Sequence, residues 1–122
     1  MTRTHVLIAA LILVSAPLAG CLDEELIDDI NDVLILTVNP GFMSQKMIPQ
    51  ITKKIEKLKK IIYENNLDIS ITVDGNVNCD TLTDFINAGS DILVLGSSGL
   101  FKENKSITNC LDEIKETIDK TS

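Results

Sequence analysis

Asp74 is a carboxylate set where an apolar run stops. It ends an apolar run, Ile69-Ser70-Ile71-Thr72-Val73, and stands directly before Gly75. A carboxylate there can exchange protons or ligate a metal, and an Asp-Gly pair is also ordinary turn chemistry. Two further runs stop as abruptly. Val33-Leu34-Ile35-Leu36-Thr37-Val38 meets Asn39-Pro40-Gly41-Phe42, and Ile92-Leu93-Val94-Leu95 meets Gly96-Ser97-Ser98-Gly99. Buried strands that end in small, polar loops are how α/β enzymes bring reactive groups to the carboxyl edge of a parallel sheet.

The segments between these runs have the helical period. Leu22, Leu26 and Ile30 are spaced for one helix; Ile51, Ile55, Leu58 and Ile62 mark a second, over roughly Pro49 to Glu64, ended by Asn65-Asn66. Leu82, Phe85 and Ile86 mark a third, with Asn78 or Asp80 as N-cap and Ala88-Gly89 as its stop. Ile107, Leu111, Ile114 and Ile118 mark a fourth, from Ser106 to Lys120. The predicted order over residues 22–122 is α-β-α-β-α-β-α in one unit. Its three strands are parallel, because each is followed by a helix that carries the chain back.

Composition narrows the partners. With 44% hydrophobic but only 3% aromatic residues, the core must be aliphatic, which suits α/β layers. A net charge of −7 argues against nucleic acid, whose phosphates need clustered cations. The run Lys53-Lys54…Lys57…Lys59-Lys60 alternates with the apolar stripe of its helix and reads as a solvated face. Cys21, Cys79 and Cys110 lack metal-site spacing, and Cys110 falls on the apolar stripe of the last helix.

Residues 1–21 have a different character. Arg3 precedes the run Val6–Val14, and Leu18-Ala19-Gly20-Cys21 closes the segment. The order of charged, apolar and small residues is that of an export signal, and the ending resembles the lipobox of bacterial lipoproteins, in which the cysteine carries a membrane anchor. The run is shorter than the ~20 residues a membrane-spanning helix needs. A barrel strand, or a replaced or misjoined start attached to a cytosolic domain, is the competing reading of the same stretch.

From Asp32 to Pro49 the sequence DVLILTVNPGFMSQKMIP resembles the sixth strand and loop of the ribulose-phosphate 3-epimerase family, where N-P-G-F-G-G-Q is usual. Val73-Asp74-Gly75 resembles that family's V-D-G motif, and Ala88-Gly89-Ser90-Asp91 with Val94-Leu95-Gly96-Ser97-Ser98 resembles its G-A-D…V-x-G-S ending. Val73–Asn78 together with Gly96–Phe101 is similar to the branch acting on hexulose 6-phosphates, such as allulose-6-phosphate 3-epimerase. The resemblance spans about residues 22–120 and implies the last strands of a (β/α)8 barrel. It also implies a ketose phosphate substrate inverted at C3 by two aspartates, and a divalent metal held by two histidines and two aspartates. Asp74 would be both proton donor and metal ligand. Gly75, Asn76, Gly96, Ser97 and Ser98 would bind the phosphate, and Gly41, Phe42, Met43 and Ser44 would cover the substrate. Met43-Ser44 replaces a smaller pair and Asn76 replaces a glycine.

The single histidine, His5, lies in the leader, and no second motif aspartate accompanies Asp74. The expectation is therefore the C-terminal part of an epimerase barrel, inactive by itself, with open sheet edges that favour self-association. The resemblance implies a cytoplasmic protein. The leader implies the alternative, a lipid-anchored, non-catalytic module, attached through Cys21, that binds a phosphorylated ligand or a protein.

Overall fold

The computed structural model describes residues 10–11, 29–41 and 45–121. Its elements in chain order are β1 (Ala10–Leu11), β2 (Asp32–Leu36), α1 (Ile51–Glu64), β3 (Ser70–Asp74), α2 (Leu82–Ala88), β4 (Ile92–Val94) and α3 (Ile107–Thr121). The strands form one sheet in the order β1-β2-β3-β4, and every neighbouring pair is parallel. The three expected strands are all present. A fourth, β1, comes from inside residues 1–21, where Ala10 and Leu11 stand opposite Val33 and Leu34. Cys21 and most of the helix expected over 22–30 lie outside the described residues.

Side chains alternate across the sheet. Val33, Ile35, Ile71 and Val73 are buried and face the helices, whose Ile51, Ile55, Leu58, Ile62 and Phe85 complete one aliphatic core. Each such side chain removed from water contributes about 1.5–3 kcal/mol. On the opposite face the register aligns Leu34 with Thr72 and Ile92, and Leu36 with Asp74 and Val94. Asp74 therefore sits on the sheet face that the helices leave uncovered.

The helices begin and end for local reasons. Asn66, with φ of 51°, turns the chain out of α1, and Leu67 N–H returns to the Ile62 carbonyl at 3.0 Å. The N-cap position of α2 is Thr81, not Asn78 or Asp80. The Asn78 side chain instead accepts from Asp80 N–H at 2.9 Å, while the Thr81 hydroxyl donates to the Asn76 carbonyl at 2.6 Å. Gly89 closes α2 in the left-handed region, at φ 100°. A Cβ there would lie 2.8 Å from Cγ of Lys59, so the absence of a side chain lets α1 and α2 pack closely. Ser106 accepts from Asn109 N–H at 3.2 Å and starts α3.

Candidate active site

The carboxyl ends of β2, β3 and β4 meet at one edge, and Thr37 joins them. Its N–H donates to the Asp74 carbonyl at 2.8 Å, extending the ladder one residue past β2. Its buried hydroxyl donates to the Gly75 carbonyl, and its own carbonyl accepts from Ile48 N–H at 2.8 Å. One threonine thus holds the Asp74-Gly75 turn against both the preceding strand and the segment leading into α1. In the sequence Thr37 falls within an apolar run. The signal was there: a hydroxyl at the last position of a strand has backbone groups within reach on its neighbour.

The turn after β3 uses two residues with positive φ, Gly75 at 114° and Asn76 at 51°. A Cβ on Gly75 would meet Cγ2 of Val38 at 2.8 Å and Oγ1 of Thr37 at 3.0 Å, so close approach also requires glycine. Asn76 stands where the motif carries glycine, and asparagine is among the non-glycine residues that adopt this conformation most readily.

After β4 the chain reverses over Gly96–Phe101. The Gly96 carbonyl accepts from Leu100 N–H at 2.9 Å and from Gly99 N–H at 3.2 Å. Gly99 is buried against the Val77 carbonyl, where a Cβ would collide with it. The N–H groups of Ser97 and Ser98 make no backbone hydrogen bond among the described residues. The Ser98 hydroxyl reaches the Val77 carbonyl at 3.4 Å and ties this turn to the one after β3.

Asp74, Gly75, Asn76, Gly96, Ser97 and Ser98 line one cleft of about 160 Å³. Val38, Gln45, Val77 and Val94 complete its walls; of these, Val94 was findable from the register that sets it beside Asp74. Asp74 is half-buried, and its carboxylate makes no hydrogen bond or ion pair among the described residues. The turn is held by Thr37 rather than by the aspartate's side chain. Gly41, exposed with φ of 134°, is not among the residues lining the cleft. Phe42, Met43 and Ser44 lie outside the described residues. No cluster of three histidine, cysteine, aspartate or glutamate side chains fit to hold a metal occurs among the described residues.

Residues 10–101 match the model of the ribulose-phosphate 3 epimerase family. The chain belongs to this family. It is 40% identical over 99 residues to the ribulose-phosphate 3-epimerase of Methanocaldococcus jannaschii, a match covering 80% of this chain and 42% of that protein. The Escherichia coli K12 enzyme of the same name is 32% identical over 99 residues, covering 81% of this chain and 43% of its own. The Bacillus subtilis enzyme is 43% identical over 76 residues, 62% of this chain and 35% of its own. The chain thus spans about two-fifths of the length of the curated relatives it matches. The family match begins at Ala10, the same residue that opens β1.

Proposed function

We propose that this chain supplies the carboxyl-edge half of a ketose-phosphate 3-epimerase site. In this reading Asp74 is an acid–base carboxylate and the Gly96-Ser97-Ser98 turn holds the phosphate. The supporting observation is the pairing in one cleft of a carboxylate with two backbone N–H groups, none of which has a hydrogen-bond partner among the described residues. A hydrogen on the carbon beside a ketone is weakly acidic, and its removal needs a base held within hydrogen-bond reach. Backbone donors in a turn suit a phosphate, which anchors the substrate away from the reacting carbon. Asp74 would give or take the proton on one face of that carbon. The family membership and the relatives' names support a ribulose phosphate as the ketose, with allulose 6-phosphate the competing substrate in the same assay.

Asp74 is the one carboxylate among the described residues of the cleft, and that favours a second reading: a phospho-ligand module that binds without turnover. One experiment separates the two. Epimerisation of ribulose 5-phosphate by this chain, reduced about 10²–10⁴-fold in Asp74→Asn, supports the catalytic reading. Phosphate-ester binding without turnover, unchanged in Asp74→Asn and lost when Ser97-Ser98 is replaced by Pro-Pro, supports the module.

The stretch around Ala10–Leu11 we assign to the barrel sheet. Its parallel pairing with β2 and the start of the family match support that assignment. Mass spectrometry of the chain recovered from cells tests it: an intact chain is expected, and a product beginning at a lipidated Cys21 would overturn it.

A further inference from the structure

We propose that the side-chain amide of Asn76 is an added phosphate donor, one that the glycine of the family motif cannot supply. The proposal rests on the phosphate reading of the Gly96-Ser97-Ser98 turn above and adds a residue that sets its affinity.

The orientation of this amide follows from a chain of hydrogen bonds whose first member is unambiguous. A carboxamide carries an oxygen that only accepts and an NH₂ that donates. Asp80 N–H can only donate, and it meets the Asn78 side chain at 2.9 Å, so the atom it meets is Oδ1. The other end of Asn78 is then Nδ2, which lies 3.2 Å from the Asn76 backbone carbonyl, a group that can only accept. Two backbone groups thus fix Asn78 from both ends. The same Nδ2 lies 3.1 Å from the side chain of Asn76, so the atom facing it there is Oδ1. The Asn76 NH₂ is the end left over, and it has no hydrogen-bond partner among the described residues.

The backbone of Asn76 is held as firmly. Its carbonyl also accepts from the Thr81 hydroxyl at 2.6 Å, which fixes the residue at its φ of 51°. Asn76 lines the cleft with Ser97 and Ser98, whereas Asn78 does not. The oxygen is therefore occupied on the Asn78 side, and the NH₂ is free to meet a ligand in the cleft. A glycine at this position offers a ligand only its backbone.

The cleft gives such a donor a purpose. No lysine, arginine or histidine lines it among the described residues, so an anion there is met by neutral donors. The Ser97 and Ser98 backbone N–H groups are two, and a phosphate monoester presents three terminal oxygens, each with room for more than one bond. The cleft, at about 160 Å³, is well below the roughly 300 Å³ at which pockets for larger ligands begin. It suits a single group such as a phosphate, and the residues lining it share that occupant. Hydrogen bonds to a charged acceptor are stronger than those between neutral groups. Because Asn78 has already fixed the amide, little side-chain freedom is lost when the anion arrives.

Nuclear magnetic resonance of the full, isotope-labelled chain, titrated with inorganic phosphate, tests the assignment. One saturable shift is expected, shared by the Ser97 and Ser98 backbone amides and the Asn76 side-chain NH₂, which is recognised by its absence from the spectrum of Asn76→Gly. Glycine suits the same positive φ, so that variant should keep its fold and bind phosphate about tenfold more weakly. Asn76→Asp keeps the shape and the oxygen toward Asn78 but exchanges the donor for a charged acceptor, and should bind more weakly still at neutral pH. Should Asn76→Gly not fold, the NH₂ is assigned in the unmodified chain through its own β protons, and its shift decides. Shifts at Ser97 and Ser98 with a stationary Asn76 NH₂, or unchanged affinity in Asn76→Gly, overturn the proposal and leave the phosphate turn standing. A shift of the Asn76 NH₂ with both serine amides stationary counts against the turn and leaves the amide as an anion donor. No shift at any of the three overturns both.

Discussion

Thr37, Gly75 and Asn76 set the position of Asp74, and each does so by a different physical means. Thr37 supplies a buried hydroxyl to the Gly75 carbonyl. Thr37→Val keeps the shape and leaves that carbonyl without its donor, so a loss of about 1–2 kcal/mol is expected. It should appear as a lower urea midpoint with an unchanged slope. Gly75 supplies a backbone conformation and a close approach. Gly75→Ala places a methyl against Val38 at positive φ and should cost about 1–3 kcal/mol. It should also displace Asp74, so turnover is expected to fall further than stability. Asn76→Gly, at φ 51°, leaves the fold within a few tenths of a kcal/mol, measurable in the same titration. Among the described residues the Asp74 side chain takes no part in holding its own turn.

At the scale of elements, the helices are fixed by packing and by polar junctions, of which the one at Asp91 carries a charge. Ile55 is fully buried between α1 and the strands. Ile55→Ala should destabilise the fold by about 2–5 kcal/mol, read from the thermal or urea midpoint. Asp91 accepts from Ile71 N–H at 2.9 Å and pairs with Lys59 at 2.6 Å. Burial pushes its carboxyl up, but the hydrogen bond from Lys59, the Ile71 N–H and the Lys59 charge together hold it below the usual carboxylate range. A carboxyl depressed in the folded state gives stability that is complete above its unfolded pKa, about 3.9. That stability is lost as pH falls through the lower folded value. Urea midpoints at about pH 6 and about pH 3 should therefore diverge less in Asp91→Asn than in the unmodified chain. The Lys59 stem also covers Gly89, so α1, α2 and the entry to β4 are joined at one place.

For the whole molecule, the two faces of the sheet have different standing. One is packed by helices, and the other carries Asp74 among half-exposed aliphatic side chains. Among the described residues one carboxylate reaches the cleft, and no metal cluster surrounds it. The aliphatic composition and the helical periods announced an α/β sheet, and the three motifs announced its family, because burial and turn chemistry are written in residue type. Ends shifted by one or two residues, as at Asp32 and Asp74, because strand limits depend on the partner strand rather than on local preference.

Two features were legible along the chain: that Asp74 follows a buried strand, and that glycine turns follow two others. Periodicity and the special φ of glycine are local properties, so local order suffices to reveal them. Only tertiary structure decided that Thr37 latches the aspartate's turn and that Ala10–Leu11 joins the sheet. Each depends on which residue lies opposite across a strand or turn, and that is set by parallel pairing between segments far apart in the chain.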